Sequence, residues 1–574
     1  MPKSLRFDQN SEGQCLITTS SVFLLFLNSL AATGPKRNVV PMYKAWKRSC
    51  YLGLSLCPEF VPSNMLSTTV PIAALAVSLI VLYLVAHRRL HKPKRPPYPP
   101  GPAPSLIIGN LLDTPPTEAW LAYIKWGSMY GDVIHFTILG SHIVVLNSLD
   151  DIRELFEKRS NLYSDRPHMA TIDLLGWGQS TAFLSYGGPL RKHRQFAQQA
   201  IIKHSSLSGF LPIVTKKVNT LLHSLLATPD DFMRHHKTFS ASVVMAIVYG
   251  YDVAGVNDHF MAVADETMDI MTQAMLPGAT MMNVLPVLRF IPPWFPGAVF
   301  QRLAVSGRKM AKEMQEVPFD MVQKQTADGT AAPSLVSNFI KESKSTQDYD
   351  LLKQACASLY GAGTDTTATA LTTFFHAMIA NPDVQAMAQR EIENVVGNGR
   401  LPNFDDRPSL PYIGALLKEL LRWRPVLPLC LPHSTRQNDV YKGYYIPKGT
   451  TILANIWAIY HDPRQYKDPH NFDPSRFLDE NGELKDDNSE AHAFGFGRRF
   501  CPGKHLASNS LWLSIASILA TFDIQAPNNA AGVRVLPPMD YADAMIPRPL
   551  PFSCSITPRA SMSKVIKELQ ELRK

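Results

Sequence analysis

The stretch Phe494-Gly495-Phe496-Gly497-Arg498-Arg499-Phe500-Cys501-Pro502-Gly503 decides the reading of this 574-residue chain. It sets one cysteine in a loop just before an apolar, helix-like run that starts near Leu506. A thiolate in that position is favoured by the partial positive charge of a helix N-terminus and by metal coordination, which lowers a thiol pKa. Gly497 and Gly503 permit a tight turn or a close approach of backbone to a large flat cofactor. Arg499 offers a guanidinium to an acidic group on that cofactor. The plainer alternative is a buried free cysteine in a glycine-rich turn.

Outside the loop the composition is ordinary for a globular protein, 45% hydrophobic and 18% charged, and the length suffices for a large core. The seven cysteines (Cys15, Cys50, Cys57, Cys356, Cys430, Cys501 and Cys554) are scattered, odd in number and free of Cys-x-x-Cys spacing. That pattern does not resemble a disulfide framework or a zinc site and fits a reducing, cytosol-facing compartment better. The net charge of +9 is partly local: residues 87–95 hold no acid. No basic and aromatic residues interleave as on a nucleic-acid surface, so no nucleic-acid partner is expected.

Residues 69–86 form an almost unbroken apolar run of membrane-spanning length, followed at once by the basic run. The positive-inside rule places everything downstream on the cytosolic side. The proline-rich segment 96–102 then predicts a stiff, extended strut. The expected organisation is an N-terminal extension at 1–64, a transmembrane anchor at 65–87, a linker at 88–102, a catalytic domain at 103–560 and a tail at 561–574. Met65 would make a conventional start for the anchor, and the apolar piece at 22–32 is short for a span.

β-rich pieces at 132–139 and 142–146, and a short strand pair within 437–455 around Tyr441-Lys442-Gly443-Tyr444, are expected in an otherwise mostly helical chain. Two further constellations stand out. Leu351, Leu352, Ala355, Leu359, Leu371, Phe374, Phe375 and Met378 recur at helical spacing over 351–380. The centre of this segment, Gly361-Ala362-Gly363-Thr364-Asp365-Thr366-Thr367, is a poor helix interior, and its hydroxyls predict a local opening of the helix. Glu419 and Arg422 lie three apart, on one helix face. Downstream of them comes Phe472-Asp473-Pro474-Ser475-Arg476-Phe477.

Together these segments resemble the cytochrome P450 family. The loop matches Phe-x-x-Gly-x-Arg-x-Cys-x-Gly at Phe494, Gly497, Arg499, Cys501 and Gly503. The helix matches Ala/Gly-Gly-x-Asp/Glu-Thr-Thr at Ala362, Gly363, Asp365, Thr366 and Thr367. Glu419, Arg422 and Arg476 match Glu-x-x-Arg and Pro-x-Arg-Phe. One departure is clear: in a segment similar to Trp-x-x-x-Arg, Leu190 stands where tryptophan is usual, while Arg194 is kept. The texture of 494–507 and of 294–300 is most similar to fungal microsomal members related to O-methylsterigmatocystin oxidoreductases and basidiomycete natural-product hydroxylases.

The resemblance implies a mainly α fold with small β-sheets and an N-terminal transmembrane helix. It implies haem b with Cys501 as axial iron ligand. Phe494, Arg194, His433 and Arg499 would bind the cofactor, Asp365 and Thr366 would handle oxygen and protons, and Glu419, Arg422 and Arg476 would form a structural lock. It further implies monooxygenation of an apolar small molecule with O2, an NADPH-cytochrome P450 reductase as electron donor with cytochrome b5 as a second one, and the endoplasmic reticulum membrane as location. Pocket segments are expected at 168–182 (Met169, Leu174, Trp177), 268–285 (Met268, Met271, Met275), 426–431 (Val426, Leu427, Leu429) and 544–548 (Met545, Ile546), apolar and rich in adaptable methionine. A redox-neutral isomerase or dehydratase on the same scaffold, or a non-enzymatic haem-binding protein, are the alternatives.

Overall fold

β1 (Val133–Ile138) and β2 (Ser141–Leu146) are the strand pair expected from the β-rich pieces near 132–146. They form an antiparallel hairpin from Val133↔Leu146 to Ile138↔Ser141. Leu139 and Gly140, the two residues between them, both have positive φ (47° and 85°), as a two-residue turn matching strand twist requires. β6 (Thr451–Ala454) lies parallel to β2, and β3 (His433–Ser434) lies antiparallel to β6, completing the order β1-β2-β6-β3. β4 (Asp439–Tyr441) and β5 (Tyr444–Ile446) make the second expected hairpin, and β7 (Phe522–Gln525) pairs with β8 (Ser555–Pro558).

The computed structural model describes residues 95–571 except 202–208, 275–281, 284, 297, 343–347 and 530–531, together with Leu79 and Tyr83. The expected extension at 1–64 and, but for those two residues, the anchor at 65–87 lie outside the described residues. Among the described residues no helix is long and apolar enough to cross a membrane.

The rest is mostly helical. The longer helices are α1 (Ala119–Tyr130), α2 (Gly188–Ile201), α3 (Leu211–Ala227), α4 (Phe232–Tyr249), α5 (His259–Ala274), α6 (Val299–Ala327), α7 (Tyr349–Ala380), α8 (Pro382–Val395), α9 (Pro411–Trp423), α10 (Lys504–Thr521) and α11 (Ser563–Glu571). The main core gathers around α7 and includes α3, α4, α9 and α10. Helix α7 is buried over most of its circumference, which its apolar residues on several faces allow. It crosses α4 at Gly363, where an added Cβ would run into the Val244 side chain.

Two expectations about the ends are revised. The linker is no free strut over its second half: the Pro100 carbonyl accepts from His135 N–H of β1 (2.9 Å) and the Pro97 carbonyl from Tyr445 N–H of β5 (2.7 Å). Tyr98 stacks on His135 with ring centroids 4.7 Å apart. Proline lacks a donor but keeps its carbonyl, so a proline-rich segment still stitches onto a sheet edge. The tail holds α11, whose Val565 and Leu569 are buried, and it packs on α3.

Candidate functional site

The thiol loop is built by three local constraints. The Cys501 N–H donates to the Phe494 carbonyl at 2.9 Å and closes the loop. Gly497 has φ +56°, and a Cβ there would collide with the Phe156 carbonyl, so only glycine fits. Helix α10 starts at Lys504, two residues before the expected Leu506, and its cap residue Gly503 has no side chain to satisfy the first amides. The Gly503 and Lys504 amides turn instead to the Cys501 sulfur. Burial pushes the Cys501 thiol up, while those amides and the charge of Arg194 pull it back toward the thiolate.

Beside this loop lies a cluster of cations. Arg499 is buried; its Nε donates to the Ser164 carbonyl (2.8 Å) and its Nη2 to the Leu184 carbonyl (2.6 Å). Its Nη1 is buried without any partner. Arg194 Nη1 donates to the Phe500 carbonyl at 2.9 Å. Arg166, which the motif reading passed over, donates from Nε to the Ala182 carbonyl (2.8 Å) and from Nη1 to the carbonyls of Leu431 (2.9 Å) and Pro432 (2.7 Å). Among the described residues none of the three guanidinium groups forms an ion pair with a carboxylate. Burial, then the Arg166 charge, lowers Arg499 to about 9, and burial lowers Arg166 to about 10.

His433 is also here, stacked on Phe156 at 3.8 Å. Its Nδ1–H donates to the Tyr163 carbonyl at 2.7 Å, and burial, then Arg166, holds it well below the ordinary histidine value. In the neutral state this surrounding favours, Nε2 is an acceptor, so the donors for an acidic group are the three arginines. Leu190, at the position where the family pattern has an indole, is buried and contributes no polar side-chain atom.

Glu419, Arg422 and Arg476 do come together. Arg422 Nε and Nη2 reach the two Glu419 oxygens at 2.6 and 2.8 Å, and both side chains are wholly buried. Arg422 Nη1 caps the Tyr460 and Pro469 carbonyls, both at 2.8 Å. Arg476 Nε approaches Glu419 at 3.2 Å, and the Asp473 amide donates to it at 2.8 Å.

In the middle of α7 the expected opening does not form. The helix runs unbroken from Tyr349 to Ala380. Thr366 Oγ1 donates to the Ala362 carbonyl (2.9 Å) and Thr364 Oγ1 to that of Tyr360 (2.8 Å). Such back-bonding adds a donor to carbonyls that stay in the helix ladder and so need not break it. Ser240 of α4 donates to the Gly363 carbonyl at 2.6 Å. Ala362 is nevertheless exposed, a bare spot in the middle of a mostly buried helix, one turn before Thr366. Asp365 is buried and paired with Arg548, a residue that no motif pointed to. Burial raises the Asp365 carboxyl, opposed first by Arg548 and then by Lys237. Of the expected pocket residues, Trp177 packs into the core and Met275 lies outside the described residues, while the others stay half-buried.

A thiol at a helix N-terminus, a bare spot on a buried helix and a lock behind them occur here in one unit, and comparison with known proteins identifies the combination. The family model described as Cytochrome P450 matches residues 99–549. The chain is 38% identical to cytochrome P450 monooxygenase 208 of Postia placenta over 492 residues, 86% of this chain and 96% of that protein. It is 38% identical to cytochrome P450 monooxygenase COX1 of Coprinopsis cinerea over 86% of this chain and 98% of that protein. It is 37% identical to cytochrome P450 monooxygenase ppsD of Aspergillus oryzae over 81% and 90%.

The chain belongs to the cytochrome P450 family.

This P450 is therefore an oxygen-incorporating oxidoreductase of the monooxygenase class. The family's cofactor is haem b with cysteine thiolate ligation, and the residues present fit it. The orphaned Arg499 Nη1 wants an acceptor, three cations without carboxylate partners suit an acidic cofactor edge, and the Cys501 sulfur already receives two amides. Arg166, which no motif marks, sits in Asp165-Arg166-Pro167, a loop without periodicity.

Proposed function

We propose that this P450 inserts one oxygen atom of O2 into an apolar small molecule, as a hydroxylation that repeated oxidation can extend, in secondary metabolism such as terpenoid or polyketide formation. The observation that carries the reading is the Cys501 thiol at the α10 N-terminus beside three guanidinium groups without carboxylate partners. In this reading Cys501 would bind the haem iron, Arg499, Arg194 and Arg166 would hold the haem carboxylates, and Phe494 and His433 would complete the cofactor's surroundings. A cysteine axial ligand pushes electron density to the iron and favours O–O cleavage.

The chain's own residues handle substrate and protons. Half-buried apolar side chains, Met268, Met271, Val426, Leu429, Met545 and Ile546 among them, take an apolar molecule and exclude water. Thr366, one turn from the bare Ala362, exchanges its hydrogen bond between the Ala362 carbonyl and an acceptor on the open side. Asp365, its carboxyl raised by burial, accepts and passes on a proton. Glu419, Arg422 and Arg476 hold α9 against the segment ahead of the thiol loop. Redox-neutral members of such a scaffold often lack an acid and alcohol pair, so Asp365 and Thr366 argue against that alternative.

Electrons come from an NADPH-cytochrome P450 reductase, with cytochrome b5 as a second donor, docking near the Cys501 loop. The location proposed is the endoplasmic reticulum membrane, spanned once at 65–87 with the body cytosolic. Exposed Leu106, Ile107 and Leu112, together with exposed Phe290 and Trp294, support a lipid neighbour. The test is the carbon monoxide difference spectrum of reduced membranes carrying the chain, with Cys501→Ala beside it. The long-wavelength Soret band of thiolate-ligated haem is expected in the first and absent in the second. Its absence from folded, haem-supplied wild-type protein would end the monooxygenase reading.

A further inference from the structure

Arg422-Trp423-Arg424-Pro425 sets two arginines two positions apart, a spacing that sends side chains to different sides of a helix. Arg422 turns into the lock with Glu419. Arg424 follows the last residue of α9 and, ahead of Pro425, leaves the helix with φ −135° and ψ 79°. Its guanidinium enters a group of aromatic rings, with Cζ 4.9 Å from the Tyr541 ring centroid, 5.2 Å from that of Trp457 and 5.3 Å from that of Trp423. Among the described residues this guanidinium forms no hydrogen bond and no ion pair, and its Nε is buried without a partner. The Trp457 ring lies 6.0 Å from that of Trp120 on α1, and both indole Nε1 atoms are likewise buried without a partner. Trp423 differs, since its Nε1 donates to the His470 carbonyl at 2.8 Å.

Aromatic faces offset part of the cost of burying a cation, but they do not satisfy its N–H groups. Guanidinium and indole nitrogens donate only. A water molecule among such donors accepts from them and still has two hydrogens of its own to place, whereas an anion only accepts. We propose that Arg424, with the indole N–H groups of Trp457 and Trp120, forms a binding site for a small monovalent anion, either a halide ion or the carboxylate of a small acid.

The surrounding charges agree with that occupant. Asp540, whose charge acts on His376, is exposed and forms no ion pair among the described residues. His376, with its ring 6.2 Å from that of Tyr541, stacks on Phe552 at 3.9 Å, and burial, then Arg424, lowers it to about 4. His461 stacks on Trp457 at 4.1 Å, and burial, then Arg422, lowers it to about 3. Both imidazoles are neutral near pH 7, so Arg424 supplies the attraction. Tyr541 pairs with Pro549 at the base of a small hairpin that carries Met545 and Ile546. An anion at Arg424 therefore ties the end of α9 and the start of α1 to the base of that pocket wall. The site is independent of the oxidation chemistry proposed above.

Thermal unfolding of the full-length, haem-loaded protein in sodium chloride, sodium bromide and sodium acetate tests the site. General salt effects act on wild type and variant alike, so the quantity read is the difference between wild type and Arg424→Met. Wild-type Tm should climb with the logarithm of anion concentration, as binding to the folded state requires, and Arg424→Met should remove the climb. A climb with chloride and bromide but not acetate assigns the site to a halide, and one with acetate alone assigns it to a carboxylate. Equal slopes in wild type and Arg424→Met overturn the proposal.

Trp457→Phe keeps an aromatic ring against His461 and removes one N–H, which guards against a first variant that does not fold. It should weaken the apparent anion affinity several-fold, and unchanged affinity overturns the site. Asp540→Asn should leave the climb in place. A climb seen only in Asp540→Asn would show that this carboxylate fills the site in the wild type, and would overturn the proposal too. Where bromide gives the climb, bromide-soaked crystals should show an anomalous peak beside Arg424 and Trp457, and a water there without anomalous signal overturns the assignment.

Discussion

Arg499 spends two of its nitrogens on backbone carbonyls and leaves Nη1 over. A lysine's donors radiate from a single nitrogen and cannot span two separated carbonyls and a carboxylate as the planar guanidinium fork does. Arg499→Lys is expected to lose a charge-assisted hydrogen bond, about 1.5–3 kcal/mol, read as haem transferring to a scavenger protein at least about tenfold faster. Unchanged transfer would assign haem retention to Arg166 and Arg194. Thr366→Ala removes the hydroxyl bonded to the Ala362 carbonyl and touches no other hydrogen bond. It should retain haem and bind substrate yet release peroxide, with product per NADPH falling several-fold; an unchanged ratio refutes the relay. Cys501, Arg499, Glu419 and Arg422 stood out in the sequence because each lies in a short run with locally spaced marker residues, although Arg499 and Arg422 also bond to carbonyls far away in the chain. Arg166 and Arg548 were not, because each reaches its partner across the fold from a loop whose local sequence carries no signal.

Among the elements, α7 departs most from its local sequence. Two glycines and a threonine run predicted an interruption, and the helix is continuous. The propensity cost of about 1 kcal/mol per glycine is outweighed by the close α4 crossing that Gly363 permits. Gly363→Ala gains helix propensity and still forces Val244 aside. Overpacking of that kind costs about 1–3 kcal/mol, so Tm should fall. A rise in Tm would show that α4 gives way freely. The two tight hairpins were readable from alternation and turn residues. The parallel pairing of β2 with β6 was not, since its strands are far apart in the chain and no local pattern names a partner. Hydroxyl back-bonding explains the rest of the α7 discrepancy: Thr364 and Thr366 satisfy carbonyls within the helix rather than prising it open.

At the scale of the molecule, buried imidazoles set the response to acid. His193, His236, His376 and His461 are buried, and burial lowers them to about 4, 3, 4 and 3. Unfolded histidine titrates near about 6.5. Below that value the unfolded chain binds protons that the folded one refuses, so the stability these groups give is complete above about 6.5 and is lost as pH falls toward the folded values. Each contributes a slope of at most about 1.4 kcal/mol per pH unit. Tm should therefore fall steadily from about pH 6.5 to 4, and a flat profile down to pH 5 would contradict neutral burial. The chain's division was legible only in outline. Family motifs delimited the catalytic body, but amide donors from β1 and β5 to Pro100 and Pro97, and a helix after residue 562, extend it at both ends. Neither kind of contact leaves a mark in composition.

The stitched proline segment fixes how far the body can be trimmed from its N-terminal side without loss to the sheets. Because Arg95 through Pro102 travel with the sheets, the point at which a different leader could be spliced on lies upstream of Arg95, not at the end of the proline run. A chain begun at residue 103 would forfeit the carbonyl partners of His135 and Tyr445 and the Tyr98 stack, whereas one begun at 95 keeps them. Residues 95–102 thus belong with the catalytic body, and its edge falls inside what composition alone marks as a single linker.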